Sequence, residues 1–164
     1  MAESRDERAR EAWDAAASVV DPEIPCVTVV DLGILRDVRV ENSTAVASLT
    51  PTYSGCPAQF AIEHAVKEAL QKKGFHAKIR RVLDPPWTTD WITREGREKL
   101  RLEGIAPPGH VSENSRELFQ NRRVACPRCG SEKSERLSEF GSTACKAQYR
   151  CLACTEPFEY FKCI

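Results

Sequence analysis

The chain has 164 residues, 24 Lys+Arg against 24 Asp+Glu, and 8 cysteines. That length suits one ordinary domain, or a small domain with a minidomain attached, and the formal charge of zero argues against a generally basic nucleic-acid binder and an acidic disordered tail. No apolar run approaches the ~18 residues that span a bilayer, and MAESRDERAREAW is charged where a secretory signal would be apolar, so a cytoplasmic chain without membrane contact is expected. Thiols stay reduced in that compartment, so the cysteines predict metal ligands or a reactive thiol in place of a disulfide framework.

In chain order, residues 5–20 read as an amphipathic helix, with Ser4 and Glu7 spaced as a capping box and Ala9, Trp13, Ala16, Ala17 and Val20 on one stripe. Asp21-Pro22 stops it. CVTVVDLGILRDVRV and TAVASLT then predict a hairpin, with strands near 34–40 and 44–50 joined at Glu41-Asn42-Ser43. Val38, Val40, Ala45, Ala47 and Leu49 are the expected buried side, and Asp31-Leu32-Gly33 the turn that leads in. PAQFAIEHAVKEALQKKG is the clearest helix, with Pro57 at its first position, Glu63 and Lys67 at i,i+4, and Gly74 as its end. Its expected apolar face is Phe60, Ala61, Ala65, Val66, Ala69 and Leu70. FHAKIRRVL follows as a third strand. The order predicts a two-layer α/β (α+β) domain over residues 5–84, with helices on one face of a small sheet. Residues 85–125 read as an extension packed on that domain through Trp87 and Trp91, with a short helix near 93–103 ended by Gly104, then a linker through ENSRELFQNRR.

Cys56 falls at the expected N-cap of the second helix, where first-turn N–H groups and the helix dipole favour a thiolate. The loop ahead of it supplies hydroxyls from Thr50, Thr52, Tyr53 and Ser54. A small buried residue at a helix start is the plain alternative. Cys26, at the head of an apolar strand, reads as core.

The remaining six cysteines lie in the last 39 residues. Cys126-Pro-Arg-Cys129 and Cys151-Leu-Ala-Cys154 are two CxxC knuckles separated by 21 residues, the pattern of a tetrahedral four-cysteine site. Zinc suits it, and so does iron as in a rubredoxin. KSERLSEF, ACKAQYRC and EPFEYFKCI supply three strands, so residues 126–164 read as a β zinc ribbon, too small to fold without its ion. Cys145 and Cys163 are left over, as packed thiols, alternate ligands or a second pair. His64, His76 and His110 are scattered and form no metal or catalytic spacing, so direct catalysis is not expected. The ribbon is one charge to the positive, which disfavours nucleic acid as its partner.

The segments DPEIPCVTVVDLGILRDV and LTPTYSGCPAQFAIEHAVKEAL resemble the iron-sulfur assembly accessory domain of SufT and of eukaryotic cytosolic targeting factors. With FGSTACKAQYRCLACTEPFEYFKCI behind them, the chain from about residue 10 to 164 is similar to the PaaD family of small proteins encoded with the phenylacetyl-CoA epoxidase. The resemblance implies that Cys56 is the reactive cysteine and Thr50 its neighbouring threonine. It also implies that Asp21, Pro22, Glu23 and the Asp31-Leu32-Gly33 turn border the site. The implied role is an accessory factor for iron-sulfur or metal-centre maturation in aerobic phenylacetate catabolism, with iron or a transient iron-sulfur cluster at Cys56 and zinc in the ribbon. Its implied partners are the epoxidase subunits, above all the iron-sulfur reductase subunit, and the iron-sulfur assembly machinery. A non-catalytic structural subunit of the epoxidase is the competing reading, and pairing of two copies around Cys56 stays open at this level.

Overall fold

The computed structural model describes residues 2–53, 55–109 and 124–162, with side chains from residue 6 onward. Ser54, Cys163, and His110 with the rest of the segment 110–123 lie outside the described residues; Ser4 falls inside the first helix, which begins at Ala2, and is not its cap. The described chain forms two compact units, one running to Trp87 and including Trp91–Thr93, the other comprising Thr88–Asp90 and the chain from Arg94 onward. No helix among the described residues is long and apolar enough to cross a membrane.

In the first unit, α1 (Ala2–Ala17) buries Ala12, Ala15 and Ala16, small side chains that permit close approach to its neighbours. The expected stripe is displaced. Ala9, Trp13 and Ala17 are half-buried, and Val20 is exposed because the helix has already ended: the Ser18 hydroxyl donates to the Ala15 carbonyl at 2.8 Å, and Pro22 disfavours helical geometry at Asp21. Strands β1 (Leu35–Glu41) and β2 (Thr44–Leu49) form the antiparallel hairpin, turning at Asn42 with φ 55°. Leu35, Val38, Ala45, Ala47 and Leu49 are buried, whereas Val40 is only half-buried.

Helix α2 (Gln59–Lys72) buries Ile62, Val66 and Leu70, one i,i+4,i+8 stripe. Phe60 and Ala61 belong to the opposite side, and the apolar face is narrower than their presence in the sequence suggests. After Gly74, β3 (His76–Arg81) runs parallel to β2, giving the order β1-β2-β3 with α2 as the crossover. The helices pack on one another, α1 against β1, and α2 against β2 and β3.

The Asp31-Leu32-Gly33 turn receives the chain after β3. Trp87 is buried and its Nε1–H donates to the Leu32 carbonyl at 2.8 Å, while the Thr93 N–H donates to the Asp31 carbonyl at 2.9 Å. Arg36 places its guanidinium 3.6 Å from the Trp91 ring centroid. Gly33, at φ 68°, is required here, since a Cβ would stand 2.6 Å from both the Cβ and the carbonyl oxygen of Trp91.

The second unit holds α3 (Arg94–Leu102) and a four-stranded sheet of order β4-β7-β6-β5, from β4 (Ile105–Ala106), β5 (Ser134–Ser138), β6 (Lys146–Cys151) and β7 (Pro157–Phe161). The three expected ribbon strands are present, and β4 adds a fourth by pairing in parallel with Glu159 and Tyr160 of β7. The extension expected over 85–125 is therefore divided: Trp87 and Trp91 pack in the first unit, and α3 and β4 belong to the second. Ala106, Val124, Cys126, Cys151, Phe158 and Tyr160 form its core, so two of the knuckle cysteines are themselves core residues.

Candidate functional site

The two knuckles converge in the second unit. The sulfurs of Cys126, Cys129, Cys151 and Cys154 all lie within 4.8 Å of one another, with Cys126 to Cys154 at 3.8 Å and Cys129 to Cys151 at 3.6 Å. Four sulfurs at about 2.3 Å from a central tetrahedral ion stand about 3.8 Å apart, so the donor set fits a metal of zinc's size. Backbone geometry holds this arrangement. The Gly130 N–H donates to the Cys126 carbonyl and the Cys126 N–H to the Ser131 carbonyl, both at 2.9 Å, while the Cys151 N–H reaches the Glu156 carbonyl at 2.9 Å. The N–H groups of Cys154 and Ala153 point at the Cys151 sulfur and lower its pKa to about 6, the contact from Cys154 acting most strongly. The Glu156 N–H pulls Cys154 the same way, but burial and the sulfurs of Cys151, Cys129 and Cys126 outweigh it and push that thiol up to about 12. Four sulfurs gathered this closely are the donor set of a site completed by a cation. Arg128 and Glu156 join the knuckles on the outside at 2.6 Å. Cys145 is buried, with its sulfur 3.1 Å from the Thr143 hydroxyl.

The second candidate lies in the first unit. A cleft of about 20 Å³ is lined by Asp21, Ile34, Leu49, Pro51, Thr52, Cys56, Gln59, Ile62 and Glu63, and has room for about one water-sized group. Cys56 and Asp21, 35 positions apart in the sequence, share this wall. Asp21 is buried, and its Oδ1 accepts the backbone N–H groups of Glu23 (2.8 Å) and Ile24 (2.9 Å), so it also ties the turn after α1. Cys56 precedes the helix cap, which is Ala58; its carbonyl accepts the Gln59 N–H at 3.2 Å and its own N–H donates to the Tyr53 carbonyl at 3.3 Å. Its sulfur thus sits in the turn feeding α2, half-exposed to the cleft. Glu23 is not among the lining residues. Thr50, between Leu49 and Pro51 of the wall, is 1% exposed, and its hydroxyl has no hydrogen-bond partner among the described residues. A buried hydroxyl without a partner costs stability, and native proteins rarely keep one without a use. Asp31 works as a local clasp, its Oδ2 accepting the Thr28 N–H at 2.8 Å. Cys26 is half-exposed where core was expected.

Sequence reasoning did not find the Gln59 and Glu63 part of the cleft wall. Glu63, expected to pair with Lys67, instead accepts Gln59 Nε2 (3.0 Å) and Arg81 Nε and Nη2 (3.0 and 2.8 Å) on one oxygen. The 3.6 periodicity put Gln59 and Glu63 on one side of α2, but only the register of β3 brings Arg81 to them.

Residues 10–75 match the family described as "Iron-sulfur cluster assembly protein", and residues 111–162 match the "PaaD zinc beta ribbon domain". A crystal structure of a domain of unknown function from Bacillus anthracis is 30% identical, with a TM-score of 0.55, covering 61% of this chain and 97% of its own. Fold and sites together define the class: an iron-sulfur cluster assembly domain followed by a four-cysteine ribbon. An Escherichia coli protein provisionally named as a component of the 1,2-phenylacetyl-CoA epoxidase is 49% identical over 156 residues, which are 94% of this chain and 92% of that one. The chain belongs to the family of that epoxidase component, PaaD.

Proposed function

We propose that the chain is a non-catalytic, cytoplasmic accessory factor that supplies iron or an iron-sulfur cluster to the phenylacetyl-CoA epoxidase system, with the iron-sulfur reductase subunit as its client. The observation that carries this reading is the cleft that Cys56 and Asp21 both line. A thiol beside a carboxylate offers a soft and a hard donor to iron carried as cargo, and Asp21 can accept the Cys56 proton as the thiolate forms. Thr50 and Glu23 are supporting residues of the site in this reading: the Thr50 hydroxyl, without a partner among the described residues, is a donor held ready behind the wall, and Glu23 is fixed by the Asp21 turn. The ribbon holds zinc through Cys126, Cys129, Cys151 and Cys154, a structural ion that fixes a surface for docking the client or the iron-sulfur assembly machinery.

The test is the iron and sulfide content of the reductase subunit produced with this protein, without it, and with Cys56→Ser. Full loading with the native chain and depleted loading in the other two is expected. Equal loading in all three removes the proposal. The relative's description as an epoxidase component favours a second reading, a structural part of the epoxidase; that reading requires stable co-purification and full epoxidase activity with Cys56→Ala.

A further inference from the structure

The sheet of the first unit has two outer strands, and they differ. Along β1 the register with β2 shifts between Leu35 and Asp37, an irregularity that disrupts that flank, and Asp37 is engaged by Arg39 at 2.6 Å. β3 pairs with β2 without a shift from His76 to Arg81, contains no proline, and has no strand on its other side among the described residues. Its side chains divide between two faces. Arg81 reaches Glu63 of α2 at 2.8 Å, and Ala77 and Ile79, at alternate positions before it, are half-buried on that helix-covered face. His76, Lys78 and Arg80 therefore point the other way, where all three are exposed. No ion pair among the described residues engages any of them.

Backbone groups alternate along a strand as side chains do. The N–H groups of His76 and Val82 donate to the carbonyls of Ser43 and Leu49, at the two ends of β2 and both at 2.8 Å, so the even-numbered residues of β3 turn their backbone groups into the sheet. Ala77, Ile79 and Arg81 turn theirs to the unpaired flank. A strand added there pairs with these three, and its side chains on the open face lie about 5 Å from those of His76, Lys78 and Arg80. The acidic residues in the same rows, Glu41 and Asp37 of β1, lie two strands away, roughly 10 Å between backbones. Lysine on an outer strand is a common defence against unwanted pairing, and here the defence has one sign. Two β3 strands side by side would set basic row against basic row, whereas a segment with carboxylates at alternate positions meets no repulsion. We infer that β3 takes up an extended acidic segment of a partner protein as a further strand, with its carboxylates beside His76, Lys78 and Arg80 and its apolar residues beside Ile79. The inference is independent of the reading of Cys56.

The full chain is titrated with a capped peptide, as long as β3 and alternating glutamate with valine, while amide hydrogen exchange is read residue by residue by NMR. In the free protein the amides of Ala77, Ile79 and Arg81 should exchange faster than those of Lys78 and Arg80, and the peptide should slow the first three. Combining Lys78→Glu with Arg80→Glu should weaken binding by about tenfold or more, and the same variant should bind a peptide carrying lysine in place of glutamate. Both side chains are exposed, and the exchange pattern of the unsubstituted chain decides independently of any variant. Absence of binding, binding indifferent to the charge reversal, or binding that leaves the three amides exchanging as before overturns the inference. Protection already present in the free chain, or appearing with its concentration, assigns the flank to the chain itself or to a second copy. Tighter binding of a single-stranded oligonucleotide to the same row assigns it to nucleic acid, and each of these outcomes overturns the inference too.

Discussion

Thr50 concentrates the tension between stability and use into one atom. Its N–H donates to the Ile34 carbonyl at 2.9 Å, but its buried hydroxyl has no hydrogen-bond partner among the described residues. Replacing it by the isosteric valine removes an unpaired polar group from the interior, so Thr50→Val is expected to stabilise the first unit by about 1 kcal/mol in a urea titration. If the hydroxyl serves Cys56, the same variant loads less iron onto the reductase subunit. A loss of stability would mean that the hydroxyl already has a partner in solution. Residue-scale features of this kind were half legible in the sequence: the cysteine spacing and the hydroxyl-rich loop pointed to their positions, but not to which residue is buried. Asp21 and Cys56 come to line one cleft only through the fold. Phe60 illustrates the opposite error, because apolar character predicts burial on average, and Phe60 stands 72% exposed on the side of α2 away from its buried stripe.

At the level of elements, the ribbon is pinned by a charge pair in its interior. Lys146 of β6 is 4% exposed and meets Glu159 of β7 at 2.8 Å, and the Ser142 N–H donates to the same carboxylate at 2.6 Å. Burial alone would raise the Glu159 pKa, but the Lys146 ammonium and Ser142 outweigh it and hold the carboxyl below its ordinary value of 4.5. A carboxylate whose folded pKa is depressed contributes stability that is present above its unfolded pKa and lost as pH falls through the folded one. The second unit should therefore begin to lose stability as the pH falls below about 4.5. Glu159→Gln abolishes that component of the acid transition and, by leaving Lys146 buried without its counter-charge, costs about 3 kcal/mol at pH 7. Circular dichroism of both proteins across pH 3–7 reads the difference; superimposable acid profiles would exclude the pair as its origin. The strands bearing these residues were visible as apolar runs between turns, whereas β4, two residues long, offered no period to detect.

For the whole molecule, the division into two units makes metal loss a local event. The second unit has Cys126 and Cys151 in its core, so withdrawing an ion held by the four cysteines would release the knuckles and loosen that core with them. Chelation is expected to unfold the second unit while the first, with its own sheet and helices, keeps its melting transition. Calorimetry with and without chelator then shows two transitions becoming one; a single transition that shifts as a whole would mean that the units fold as one. Unit boundaries were the least legible feature in the sequence, since residues 85–125 read as one extension packed on the first domain, whereas Ile105–Ala106 already pair in the second sheet.

The two residues of β4 also bear on how the ribbon avoids other chains. Paired along β7, they cover backbone groups that would otherwise form an open edge on the aromatic-rich strand Pro157–Phe161. A fragment begun at residue 111, where the ribbon family match starts, keeps every cysteine ligand and loses this cover. Its uncapped β7 edge is then a template for intermolecular strand pairing, so the ligand set alone does not delimit a well-behaved ribbon: the guard strand lies upstream of it, within Ile105–Ala106.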